Sequence, residues 1–185
     1  MRSIYRPPWR VDVTIREGVA PTIAASTVTV GSLARAMVAT LVAADAPAPG
    51  SIGLILSDDR ELASLNETHL GHHGPTDVLS FPLMPAAAFP RHAGEPADRR
   101  TGAASPPFPL PPGRRPHLGD VVVSVERAIE QAVEGRGGHT GDVRWSAADE
   151  LRLLVIHGTL HVCGWDHAEP AEELAMRALE RRLLG

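Results

Sequence analysis

The segment Val155–His167, VIHGTLHVCGWDH, constrains the fold more than any other stretch of the chain. Its three imidazoles can meet at one point only if the backbone is helical first and then reverses. His157 and His161 are four residues apart, so on a helix they project from one face about a turn from each other. Gly164, three residues beyond His161, suits a helix end with positive φ, where a residue bearing a Cβ is penalised. The reversal it permits returns His167 towards the same point.

Three neutral imidazoles around one open position form the ligand set of a hydrolytic zinc site, in which the metal lowers the pKa of the water at the open position to about 7. The chain has 9 histidines, so clustering alone carries little and spacing carries the reading. His-x3-His-x5-His with a glycine at the turn matches the metal-binding half of the HExxHxxGxxH metalloprotease signature. Those proteases place a glutamate general base where this chain has Gly158, which disfavours a peptidase. Cys163 lies two residues from His161, roughly on the opposite side of the helix, and reads as a buried structural thiol. Asp166 either orients a ligand imidazole from behind or caps the turn. Trp165 either stacks a base or closes the core beside the metal.

Composition narrows the setting. With 185 residues, one domain spanning 1–185 is expected. Apolar residues are 43% of the chain and aromatic ones 4%, so aliphatic side chains must build the core. The net charge of -4 argues against a broadly basic, non-specific nucleic-acid binder, so any RNA contact is local. One cysteine allows no intramolecular disulfide, which fits a reducing cytoplasm. Neither an apolar signal-peptide core nor a run of about 20 apolar residues is present, so no membrane association is expected.

Hydrophobic periodicity outlines alternating strands and helices. Val11, Val13 and Ile15 alternate with polar residues over a strand from Trp9 to Ile15. Thr29 or Ser32 caps a helix through Ala44, followed by a strand at Ser51–Leu56. Asp58 or Asp59 caps a short helix that Gly71–Gly74 breaks, and Asp77–Phe81 is a strand. Between Pro85 and Pro116 lie nine of the 17 prolines, which reads as a solvated surface insertion at about 85–116. Its alternative is a substrate-gripping loop using Arg99, Arg100, Arg114 and Arg115. Gly119–Val123 is a strand, Ser124–Glu134 a helix, and a glycine-rich loop follows. Ser146 and Asp149 form a near capping box for the histidine helix, and Glu169–Leu184 is a final amphipathic helix.

On these residues the chain resembles the YbeY endoribonuclease family. The family signature HGxLHxxGYDH appears as His157, Gly158, Leu160, His161, Gly164, Trp165, Asp166 and His167, with Trp for Tyr. Leu65 and Asn66 leading to PTDVLSFP at 75–82, and LGDVVVS at 118–124, are two further similar blocks. The resemblance implies an α+β fold, zincin-like, with a small mixed sheet packed by helices and a three-histidine metal site at the end of a helix. It implies one zinc ion per chain, held by His157, His161 and His167. The implied activity is cleavage of single-stranded RNA in ribosomal RNA maturation and ribosome quality control. The implied partners are ribosomal RNA and the ribosome or its small subunit. Where the family tends to carry an aromatic-arginine pair, this chain has His69 and Leu70. Either another arginine substitutes or the nuclease is weakened.

The catalytic base is not fixed by the motif. Asp77 and Asp120 are the candidates, although aspartate at strand ends also serves turns and caps. If the ribose 2′-hydroxyl is the nucleophile, a cyclic phosphate results and DNA is inert. Two other readings stay open. One is a metallohydrolase of another substrate class, and the other a non-catalytic ribosome-associated protein stabilised by its metal.

Overall fold

The computed structural model describes residues 1–25, 27–99, 115–134 and 145–185. The expected glycine-rich loop after residue 134, together with Arg100 and Arg114, lies outside the described residues. Among those described, the architecture is α+β: a mixed sheet of five strands and six α-helices. The strands are β1 (Arg2–Arg6), β2 (Trp9–Ile15), β3 (Gly50–Ser57), β4 (Val78–Pro82) and β5 (His117–Ser124), in the order β1-β2-β3-β5-β4. The central pairs β2/β3 and β3/β5 are parallel, and the outer pairs β1/β2 and β4/β5 are antiparallel. A parallel pair needs a crossover, and the helices α1 (Ala20–Ala25) and α2 (Val30–Ala43) between β2 and β3 supply one.

The period-two pattern of β5 divides the structure into two faces. Val121 and Val123 join the main core with Ile52, Leu54 and Leu56 of β3. This core is closed by α2, by α5 (Ala147–Val162) and by α6 (Pro170–Leu184), which contribute Leu33, Met37, Leu151, Val155, Leu160 and Met176 among others. Val122, one residue out of phase, belongs to a smaller cluster with Leu62 of α3 (Asp59–Leu70) and Leu79 on the opposite face. The remaining helix, α4 (Val125–Glu134), begins where β5 ends.

Local signals set most boundaries. The Thr29 hydroxyl accepts the Ser32 amide at 3.1 Å, and Asp58 Oδ1 accepts the Glu61 amide at 2.8 Å, so α2 and α3 each start behind a side-chain cap. Gly71 ends α3 in the left-handed conformation, with φ 69°. Ser146 and Asp149 exchange both hydrogen bonds of a capping box at the start of α5.

The first half of the expected insertion is packed rather than solvated. Ala86–Ala88 forms a 3-10 turn, and Phe89 is 3% exposed within the main core. The proline count foretold the lack of regular structure but not this single buried aromatic.

Candidate metal centre

The helix α5 lies on the β4/β5 edge of the sheet, and its closest approach is at Gly158. A Cβ built there would come within 2.5 Å of Val121 Cγ1 and 3.0 Å of Val78 Cγ2, so any side chain would force the helix away. The Gly158 carbonyl accepts the Ser80 hydroxyl at 3.0 Å, which pins the helix to the edge strand. Position 158 therefore faces the sheet and has no room for a glutamate. With that face down, His157 and His161 turn towards the sheet edge. The helix then ends and Gly164, with φ 85°, reverses the chain.

His157, His161 and His167 come together with one ligand nitrogen from each lying within 4.8 Å of the others. Hydrogen bonds from behind decide which nitrogens face inward. His161 Nδ1 lies 2.9 Å from the Trp165 carbonyl, which can only accept, so Nδ1 carries the proton. His157 Nδ1 lies 2.7 Å from Glu180 Oε1 and donates to that carboxylate. With both rings neutral, both Nε2 atoms carry lone pairs, and they lie 3.1 Å apart. Two facing lone pairs repel unless a cation sits between them. Burial, helped by the nearby His157 and His167, pushes the pKa of His161 down to about 4, so a proton on His161 is not that cation near neutral pH. A zinc ion with bonds of 2.0–2.1 Å would hold two tetrahedral nitrogens roughly 3.3 Å apart, close to the spacing found. The donor set fits a metal ion.

Of the carboxylates singled out from the sequence, Asp77 stands in the site and Asp120 does not. Asp77 lines two clefts that meet at the histidines. One, of about 640 Å³, opens towards α6 past Trp145, Met176, Arg177 and Arg181; the other, of about 620 Å³, opens towards α3 past Asn66, Leu70 and His72. Gln131 donates to Asp77 Oδ2 at 3.0 Å. Asp120 points to the face away from α5, beside Gly53, and pairs with His117 at 3.1 Å, raising the pKa of that imidazole. Asp166 Oδ1 accepts the His167 amide at 2.8 Å, which shapes the turn, and its charge acts on the nearby His161. Cys163 is buried, and burial pushes its thiol up to about 12. Trp165 is 9% exposed and stacks on His92. Leu70 is 56% exposed at the end of α3, in the same cleft as Arg99. Arg115 instead donates to the Pro8 carbonyl between β1 and β2.

Three residues of the site escaped the sequence reading, namely Glu180, Glu172 and His92. The first two carried a signal. Glu172 and Glu180 fall four residues before and after Met176, on the helix face that buries Met176 and Leu179. An acid on an apolar stripe needs a partner, and each of these has a histidine. His92 carried none, since nothing local to residue 92 indicates Trp165.

Known proteins match this chain over most of its length. The family described as Endoribonuclease YbeY matches residues 22–185. An Endoribonuclease YbeY of Salinispora tropica is 41% identical over 133 residues, covering 72% of this chain and 71% of the relative. Another, from Roseiflexus castenholzii, is 36% identical over 152 residues, covering 82% and 79%. The solution structure of TM1509 from Thermotoga maritima shares the fold with a TM-score of 0.52 at 20% identity, over 94% of this chain and 86% of that one. With a match across almost its whole length and a donor set poised for a cation, the chain belongs to the YbeY endoribonuclease family.

Proposed function

We infer that the protein is a metal-dependent endoribonuclease of ribosomal RNA processing, with single-stranded RNA as its substrate and zinc as its ion. Family membership supports the reaction class. The observation that carries the metal is the convergence of His157, His161 and His167 on one point, with the Nε2 atoms of the first two 3.1 Å apart. The ion supplies Lewis acidity, lowering the pKa of water and offsetting charge that develops on phosphate oxygens.

The chain's own residues do the rest. Glu180 and the Trp165 carbonyl fix the tautomers of His157 and His161, so that neither ring must reorganise to bind. The two clefts that meet at the histidines give an extended strand an entry and an exit. Asp77 lines both and so is the carboxylate able to accept a proton from the attacking oxygen. A peptidase remains disfavoured, because the protease glutamate has no space at Gly158. No helix among the described residues is long and apolar enough to cross a membrane.

Cleavage of a single-stranded RNA by the purified full chain tests this reading, with and without chelator and with Leu70→Arg alongside. Chelator-sensitive cleavage restored by zinc is expected, and a 2′,3′-cyclic end would identify the ribose hydroxyl as nucleophile. Binding to ribosomal subunits without metal-dependent cleavage would select a non-catalytic, metal-stabilised binding protein instead.

A further inference from the structure

The first part of the proline-rich segment is fastened to the turn that carries His167. Phe89 anchors it in the core at 3% exposure. Beside it, a Cβ built on Gly164 would meet Ala86 Cβ at 3.2 Å, so the segment lies directly on the reversal after α5. Gly94, with φ 80°, sits on the first turn of α6, where a Cβ would approach the Ala171 carbonyl oxygen to 2.5 Å. His92 stacks on Trp165 with ring centroids 4.1 Å apart and planes 12° from parallel. Its Nε2 is 3.4 Å from Glu172 Oε1.

Arg99 completes the attachment. Its guanidinium pairs with Glu172 Oε1 and, at 3.4 Å, with Asp166 Oδ2. Glu172 is fully buried, and the same Oε1 accepts the Asp166 amide at 3.0 Å. Asp166 in turn accepts the His167 amide at 2.8 Å through Oδ1. The other oxygen of Glu172 is buried with no hydrogen-bond partner among the described residues, so this carboxylate depends on the contacts at Oε1. Without Arg99 a buried carboxylate loses its guanidinium partner, and the turn that presents His167 loses one of the contacts that hold it.

We propose that Ala86–Arg99 is a strap that positions the third metal ligand, with Arg99 as its positioning residue acting through Glu172 and Asp166. The proposal rests on the metal reading of the three histidines. Arg99 also lines the cleft beside Leu70, yet two carboxylates already face its charge. That balance assigns it to the turn rather than to a substrate phosphate.

The test is zinc affinity of the metal-stripped full chain, by competition with a chromophoric chelator, together with the visible spectrum of its Co(II) form. Arg99→Ala is expected to weaken zinc binding roughly 10- to 100-fold and to alter the Co(II) bands. Arg99→Lys should recover part of both, and His92→Ala should shift them in the same direction by less. A merely structural role would lower the melting temperature and leave the Co(II) bands of the folded protein unchanged, which would overturn the proposal. So would wild-type zinc affinity in Arg99→Ala; if RNA cleavage nonetheless fell, Arg99 would belong to the substrate. Should Arg99→Ala fail to fold, His92→Ala is judged by the same criteria. A wild-type chain that binds neither Zn(II) nor Co(II) would instead remove the metal reading, and the strap's role with it.

Discussion

His157 and His161 stand one turn apart on a 16-residue helix whose inner face is locked to the sheet, whereas His167 stands on a turn shaped from outside by α6 and by the strap. The two regions place their ligands by different physics. On α5 the spacing follows from helix geometry, and once Gly158 is seated both rings are aimed together. At the turn, nothing in Trp165–His167 alone selects one conformation. The buried Glu172, its partners Arg99 and His92, and the stack on Trp165 select it. A ligand on a helix is pre-organised by secondary structure, and one on a turn only by tertiary contacts.

The largest effects should come from the ligands themselves. His157→Ala and His161→Ala are expected to lower RNA cleavage by more than about 100-fold, exceeding the 10- to 100-fold cost typical of residues behind the ligands. His167→Ala should abolish cleavage to the same degree while retaining weak, measurable zinc binding by the helical pair. Titration that found no residual binding would break the distinction between the two regions. Next comes Glu180→Gln, which keeps the shape but removes the charge holding His157 Nδ1. Zinc affinity should fall about 10-fold in a competition assay. Gly158→Ala should cost about 1–3 kcal/mol by overpacking against Val121 and Val78, read as a lower melting temperature. At the other end of α5, Ser146→Ala removes one half of the capping box and should cost about 1 kcal/mol with zinc affinity unchanged.

The metal-free protein should also show the burial of His161 beside two other imidazoles in its pH dependence. His161 has its pKa lowered from 6.5 to about 4 in the folded chain, so between those values the unfolded chain binds more protons. Stability therefore rises with pH across that window and is lost as pH falls from 6.5 towards 4. Melting temperatures of metal-stripped wild type and His161→Ala over that range check this, since the variant should lose that part of the slope.

Where a signal is local, it was legible in the sequence. The strand Trp9–Ile15 has the expected bounds, the Thr29 and Asp58 caps begin the expected helices, and the motif spacing brings the three histidines together. The strand β1 was not foreseen, because Arg2–Arg6 is a largely exposed edge whose pairing with β2 leaves little apolar pattern. The difference between Asp77 and Asp120 was equally hidden. It depends on the fold around each residue: Asp77 precedes β4 and lines the clefts, whereas Asp120 lies within β5 and faces Gly53. Phe89, His92 and Arg99 carry no such signal, because proline content reports the absence of regular structure and says nothing of what an irregular chain packs against.

The central claim is that these three histidines hold one metal ion, and elemental analysis of the purified full chain beside His161→Ala tests it most directly. About one zinc per wild-type chain, falling far below that in the variant, is the predicted result. Zinc content undiminished in His161→Ala would contradict it.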